Sequence, residues 1–351
     1  MKRFLAILMV TVLALAGLAT SALAADRVGV LMPTQSLQRW NQDGDNMKSQ
    51  LETAGYEVDL QYADNKVDVQ VSQIENMLLG GVKVLVIASI DGGSLGTVLA
   101  AAKDMSVPVI AYDRLITGTE FVDYYATFDN YRVGQLQGSF IEEKLGLKDG
   151  NGPFNLEIVA GSPDDNNALF FYNGAMDLLK PYIENGQLVV PSGQTELAQV
   201  GTLAWSTDTA QARFDNIIAA NYADGSTKLD AVLCSNDSTA LGVINALTNA
   251  GFTEYPIITG QDCDKPNMQH IISGVQSMSV FKDTRTLASK VVSMVEALLK
   301  GSDPEINDTT TYNNGVKVVP SYLCEPVFGD ASNYKELLID SGYYTLEDIG
   351  Q

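Results

Sequence analysis

The 351-residue chain holds three cysteines, one histidine and two tryptophans, and its 22 Lys and Arg are outnumbered by 43 Asp and Glu. Each scarcity removes a class of protein. Cys234, Cys263 and Cys324 are odd in number and match no zinc spacing, so no disulfide framework or zinc ribbon is expected. Cys234 and Cys263 each follow a predicted strand end, which would allow one bridge in an oxidising compartment; the reading taken is three buried free thiols. A single His270 leaves no H-x-x-x-H pair, so a catalytic zinc site is unsupported. No twelve-residue calcium loop with its Gly and terminal Glu occurs either, and neither metal nor cofactor is expected. A formal charge of −21 argues against nucleic acid and anionic membrane surfaces as partners, because phosphates demand Lys and Arg.

Long apolar runs are also missing, except one. Lys2 and Arg3 precede "FLAILMVTVLALAGLA", and Ala22 to Ala24 make a small-residue cleavage site. Charge, length and the A-x-A ending predict a secretory signal peptide over residues 1–24, cleaved near Ala24. No Cys follows the cleavage site, so no lipid anchor is expected. Loss of this segment moves the formal charge from −21 to −23, since it holds two cations and no acid. The expected product is an exported, freely diffusing acidic protein.

What is abundant is a repeating unit. The runs "RVGVLMP", "YEVDLQYAD", "VKVLVIAS", "VPVIAYD", "NLEIVAG", "GQLVVPSG", "LDAVLCSND" and "YPIITGQD" are nearly continuous in Val, Ile and Leu, as parallel strands covered on both faces are. Between them lie helical patterns such as "DVQVSQIENMLLGG", where Val71, Ile74, Met77 and Leu78 recur at three-to-four spacing before closing glycines. Alternating strand and helix predict an α/β doubly wound sheet. The units are too many for one such sheet and fit two lobes. The expected division is 25–131 with 283–313, and 132–282 with 314–351. "TRTLASKVVSMVEALLKG" is read as returning to the first lobe, and the tail from about Asn314 to the second. Several crossings between two lobes make a hinge, and a hinge makes a cleft.

In an open parallel sheet, ligands bind beyond the carboxyl ends of the strands. Those positions hold Arg39 and Trp40 ("QRWN"), Asp91 ("SIDGG"), Asp113 and Arg114 ("YDR") and the cluster "SPDDNN" with Asp165 and Asn167. They also hold Asn236 and Asp237 ("SND"), Gln261 and Asp262 ("GQD"), and Lys282 ("FKD") at the proposed hinge. Trp205 lies in a long loop ("GTLAW"). Acids, amides and cations of mixed sign, with two indoles, do not describe a phosphate site, which would need a P-loop Lys and donor glycines. They suit a carbohydrate. Each hydroxyl is both donor and acceptor, charge-assisted bonds to it are strong, and a flat indole matches the C–H face of a pyranose. Taken singly, an Asp before a helix is also what an N-cap requires. The reading is that Asp164 or Asn166 serves the helix start while Asp165 and Asn167 face the cleft.

One motif points to chemistry instead. "GGSLG" at Gly92 to Gly96 has the spacing of a nucleophile elbow. Its base would have to be His270, which sits in a helical pattern beside Ile271 and Ile272 with no loop to present it. An enzyme is therefore not expected.

At "RW", "SQIENM", "GVKVLVIASIDG", "VIAYDRLI", "YYATFDN", "GSPDDNNA", "LKPYI", "SND", "GQD", "FKDTR" and "NNGVKVVPSYL" the sequence resembles the periplasmic monosaccharide-binding proteins of ABC importers. Within them it is similar to the multiple-sugar-binding and D-xylose-binding members. "SND" looks like the xylose pattern, and "SIDG" and "GTLAW" like the multiple-sugar one. The resemblance runs from about Arg27 to the C-terminus. It implies a type I periplasmic-binding-protein fold closing on one aldopyranose such as xylose, glucose, galactose or arabinose. It further implies ligand roles for Arg39, Trp40, Asp91, Asp113, Arg114, Asp165, Asn167, Trp205, Asn236, Asp262 and Lys282. The implied setting is a periplasmic monomer that meets ABC permease subunits and a chemoreceptor. The alternative is a sugar sensor for chemotaxis or signalling without transport.

Overall fold

Two parallel sheets organise the chain in the computed structural model, which describes residues 25–223 and 225–351. The expected signal peptide lies outside the described residues. The first sheet is built from β1 (Arg27–Met32), β2 (Glu57–Tyr62), β3 (Val84–Ile87), β4 (Val109–Tyr112) and β5 (Tyr124–Phe128), in the order β5-β4-β3-β1-β2, all parallel. Alternate residues face opposite layers. Val28 and Val30 of β1 and Val84 and Val86 of β3 join one core, whereas Leu31, Leu85 and Ile87 join the other. The first core is covered by α1 (Gln38–Thr53) through Met47 and Leu51, the second by α2 (Val67–Leu79) and α3 (Gly96–Asp104) through Ile74, Met77 and Leu99. Fully burying each such side chain contributes roughly 1.5–3 kcal/mol.

After β5 the chain enters α4 (Asn130–Leu145) and the second sheet, whose strands β6 (Phe154–Val159), β7 (Leu188–Val189), β8 (Ala231–Cys234) and β9 (Ile257–Ile258) run in the order β7-β6-β8-β9. Helix α5 (Asn166–Glu184) packs with α4 on one face through Ile141, Ala175 and Leu179. Beyond the short α6 (Leu197–Val200), α7 (Thr207–Asn221) and α8 (Asp237–Asn249) cover the other face through Phe214, Ile217, Val243 and Leu247. Helix α9 (Lys265–Ile272) leads to β10 (Ser279–Phe281), joined to the sheet edge through a parallel bridge between Gln261 and Val280. Helix α10 (Thr284–Leu299) then lies in the core of the first sheet beside Val28 and Val30, through Leu287, Val291 and Val295.

The tail corrects the expected lobe boundary. The expectation puts residues 314–351 in the second lobe, yet β11 (Ser321–Cys324) adds to the first sheet, parallel to β5. Tyr312 and Val319 are buried in the second core of that sheet, and the Asn314 side chain donates to the Thr119 carbonyl at 2.7 Å. The first lobe therefore continues through Cys324, and the last crossing falls before β12 (Val327–Gly329), which pairs antiparallel with β10. Apolar residues show that a strand forms but not which sheet edge accepts it. All three cysteines are buried and free.

Candidate functional site

A cavity opens where the loops after the strands of both lobes meet. Its walls carry Arg39, Trp40, Asp113 and Arg114 from the first lobe and Asp165, Asn167, Trp205, Asn236 and Asp262 from the second. Lys282, at the crossing into α10, completes it.

Arg39 lies in the first turn of α1 and is buried. Its Nε donates to Asp43 one turn further along the same helix at 2.9 Å. One terminal nitrogen donates to Asp113. The other donates to Asp262 in the opposite lobe at 3.3 Å. A planar guanidinium with a fixed donor fork is suited to holding three carboxylates at set angles. Asp113 has φ 56°, a left-handed conformation for a non-glycine residue. Its carbonyl accepts from Tyr125 at 2.5 Å, from Thr127 at 3.0 Å and, across the lobes, from the Asn167 amide at 2.8 Å. Strain of this kind costs on the order of 1–3 kcal/mol and persists where surroundings over-determine it. The Trp40 ring lies 5.3 Å from the Arg39 guanidinium and 5.0 Å from that of Arg114, so both cations rest against an aromatic face.

Asp165 is the N-cap of α5. One carboxylate oxygen accepts from the Asn167 backbone N–H at 2.9 Å. The other accepts from Trp205 Nε1 at 3.2 Å and stands 3.1 Å from Arg114 Nε. The expectation that Asp164 or Asn166 serves the helix start is thereby corrected. Asp165 caps the helix and faces the cleft at once, while Asp164 accepts from Ser162. Asn236 likewise caps α8, accepting from the Thr239 N–H at 3.0 Å. Lys282, 2 % exposed, stands 3.2 Å from Asp262 and 3.9 Å from Asp113.

The charges shift accordingly. Burial pushes the Asp113 carboxyl up, but Arg39, Lys282 and Arg114 outweigh it and hold the group below its ordinary range. Burial also works against the Arg39 cation, and Asp113, Asp43 and Asp262 more than offset it. At Asp165 burial prevails over Arg114 and the carboxyl is raised. Beneath the site, burial lifts the Asp237 carboxyl to about 7.

A family model described as a periplasmic binding protein domain matches residues 28–303. The chain belongs to the periplasmic binding protein family. It is 50% identical to the multiple sugar-binding periplasmic receptor of Rhizobium radiobacter over 355 residues, covering 99% of this chain and 100% of that protein. It is 35% identical to the D-xylose-binding periplasmic protein of Escherichia coli (strain K12), covering 92% of each. Among solved structures, an ABC transporter solute binding protein from Clostridium phytofermentans with bound β-D-glucose superposes with a TM-score of 0.91. The two are 65% identical over 92% of this chain and 100% of that one.

Asp237, read from a strand end in this periplasmic binding protein, lies outside the cavity lining, and of the residues that the resemblance gives ligand roles Asp91 is the one left outside it. Asp91 caps the short helix Gly92–Ser94, accepting from the Gly93 N–H at 2.9 Å and the Ser94 hydroxyl at 2.6 Å. Its carboxylate is occupied by local bonds that a loop of this shape needs. The same bond takes up the Ser94 hydroxyl, and His270 sits on α9 in the other lobe. Among the described residues no group of three or more His, Cys, Asp or Glu is placed to hold a metal ion. Leu37, Phe171, Ser238, Gln261 and Asp264 also line the cavity. Phe171 was recoverable, being four residues after Asn167 on one helix face. Asp264 was not. Asp262 and Cys263 take φ 95° and 52°, a bend that the letters "DCD" do not announce.

Proposed function

We propose that this protein captures a monosaccharide, an aldopyranose, between its lobes and delivers it to the permease of an ABC importer. The observation that carries the reading is one cavity in which acids, amides, cations and two indoles from both lobes converge. Paired charges such as Arg39–Asp262 and Arg114–Asp165 span the lobes. They are arranged to share donors and acceptors with ring hydroxyls in place of water. Closure sequesters the sugar, and opening releases it unchanged; capture involves no bond-breaking step. The glucose-bound structural relative and the multiple-sugar and xylose relatives support this ligand class. Export through a cleaved signal peptide at residues 1–24, action in the periplasm and a monomeric state complete the proposal. A second reading, a receptor that reports sugar to a chemoreceptor, is favoured by the relative named a receptor; it uses the same closed form.

Thermal unfolding of the mature protein against a panel of aldoses tests this. A sugar present at about a hundred times its dissociation constant should add roughly 2.7 kcal/mol of stability. No shift with any aldose would remove the reading. Uptake of the bound sugar by cells lacking the cognate permease would separate transport from sensing.

A further inference from the structure

Most polar groups in the cavity are already paired with protein. Among the described residues, the buried side-chain atoms of the lining that lack a hydrogen-bond partner are Arg114 Nε, Gln261 Oε1 and Asp264 Oδ1. Two of the three sit on one loop. The Gln261 amide is 2 % exposed, and its Nε2 donates to the Ser235 carbonyl at 3.3 Å. A carbonyl can only accept, so the amide orientation is set and Oε1 remains an acceptor. Asp264 occupies the N-cap position of α9 yet makes no side-chain capping bond. An Asp there ordinarily takes the free helix N–H groups; this one lines the cavity instead.

The loop is held in that shape from below. Two consecutive non-glycine residues, Asp262 and Cys263, are left-handed. The Asp262 N–H donates to the Val280 carbonyl at 2.8 Å, the Cys263 N–H to the Ser279 hydroxyl at 3.0 Å, and the Asp264 N–H to the buried Asp237 carboxylate at 2.9 Å. Asp237 also accepts from Gln276 and Ser279 at 2.9 Å each. A strained bend fixed at three successive backbone N–H groups is the kind of structure retained where its geometry is used.

We propose that Gln261 Oε1 and Asp264 Oδ1, the unpartnered oxygens of this loop, form a corner of the cavity that hydrogen-bonds two hydroxyls of the bound sugar. The inference rests on the monosaccharide reading and narrows it. The ligand must present free hydroxyls at that corner, and a deoxy or O-methyl group there leaves a buried carboxyl oxygen and a buried amide oxygen unmet. Such loss is discriminated far more sharply than a missing methylene.

Calorimetric titration of D-glucose and its monodeoxy analogues into the mature protein, Asp264→Ala and Gln261→Met tests the corner. D-glucose should bind each variant at least ten-fold more weakly. One monodeoxyglucose should bind the unaltered protein and Asp264→Ala alike, because the hydroxyl that Asp264 reads is already gone. Glucose affinity within two-fold of normal in either variant that retains a cooperative thermal transition would overturn the proposal. So would an equal loss for every analogue, which would make Asp264 a residue of the closure. If the unaltered protein bound D-glucose and none of this selectivity appeared, the corner alone would fail. If it bound no aldose, the parent reading would fall with it.

Discussion

Asp165 holds three partners with four lone-pair positions: the α5 cap, the Trp205 indole and the Arg114 guanidinium. Replacing it with Ala leaves the indole N–H and a buried cation unmet. Affinity for the preferred aldose should fall at least ten-fold, in line with about 1.5–3 kcal/mol for a charged hydrogen bond, and calorimetry measures it directly. An unchanged dissociation constant would take Asp165 out of the site. The Trp205 ring in turn depends on Gly161, where an added Cβ would lie 2.0 Å from the indole. Gly161→Ala should lower stability by roughly 1–3 kcal/mol in urea denaturation, as overpacking does. Residue identities were legible at this scale because polar side chains cluster after apolar runs. What the letters did not separate is a carboxylate consumed by its own loop, as at Asp91, from one presented to a ligand.

At the scale of elements, the apolar runs located strands because both faces of each sheet are covered, so β1 after Arg27 and all of β3 alternate between two cores without polar residues. The partner of β11 was not legible, since pairing at a sheet edge depends on neighbours distant in sequence. Nor was the bend at Asp262 and Cys263, which depends on Asp237 beneath it. Asp237 sits at the start of α8 and in the folded state is raised from 3.8 to about 7 by burial. A raised carboxyl means the folded protein keeps a proton that the unfolded chain releases. The resulting stability is present below the ordinary value and is lost as pH rises through about 7. Asp237→Asn should therefore flatten the fall in unfolding free energy over that window, compared by denaturant titration at its two ends. An unaltered slope would mean that another group sets it.

The whole molecule is held closed by contacts inside and outside the cavity. Beyond the charged pairs, Gln38 and Gln42 of α1 donate to the Tyr344 hydroxyl at 2.7 and 2.9 Å. Tyr344 is packed in the second lobe against Cys263, Met268 and Phe281. Gln38, Gln42 and Tyr344 lie outside the cavity lining. Tyr344→Phe should weaken every sugar by a similar factor, up to about thirty-fold at roughly 1 kcal/mol for each of the two hydrogen bonds, without reordering the panel; a changed order would place Tyr344 in recognition. The two-lobed plan was visible as a surplus of strand-helix units, and family resemblance located the cleft residues. The register in which two faces meet was not, because it is decided by pairs such as Arg39 and Asp262, 223 residues apart in sequence. The most direct test is a crystal structure of the mature protein with D-glucose. It should show one pyranose between the lobes, with hydroxyls within hydrogen-bond distance of Asp113, Asp165 and Asn167. A sugar bound elsewhere, or a cavity whose side chains make no contact with it, would contradict the account.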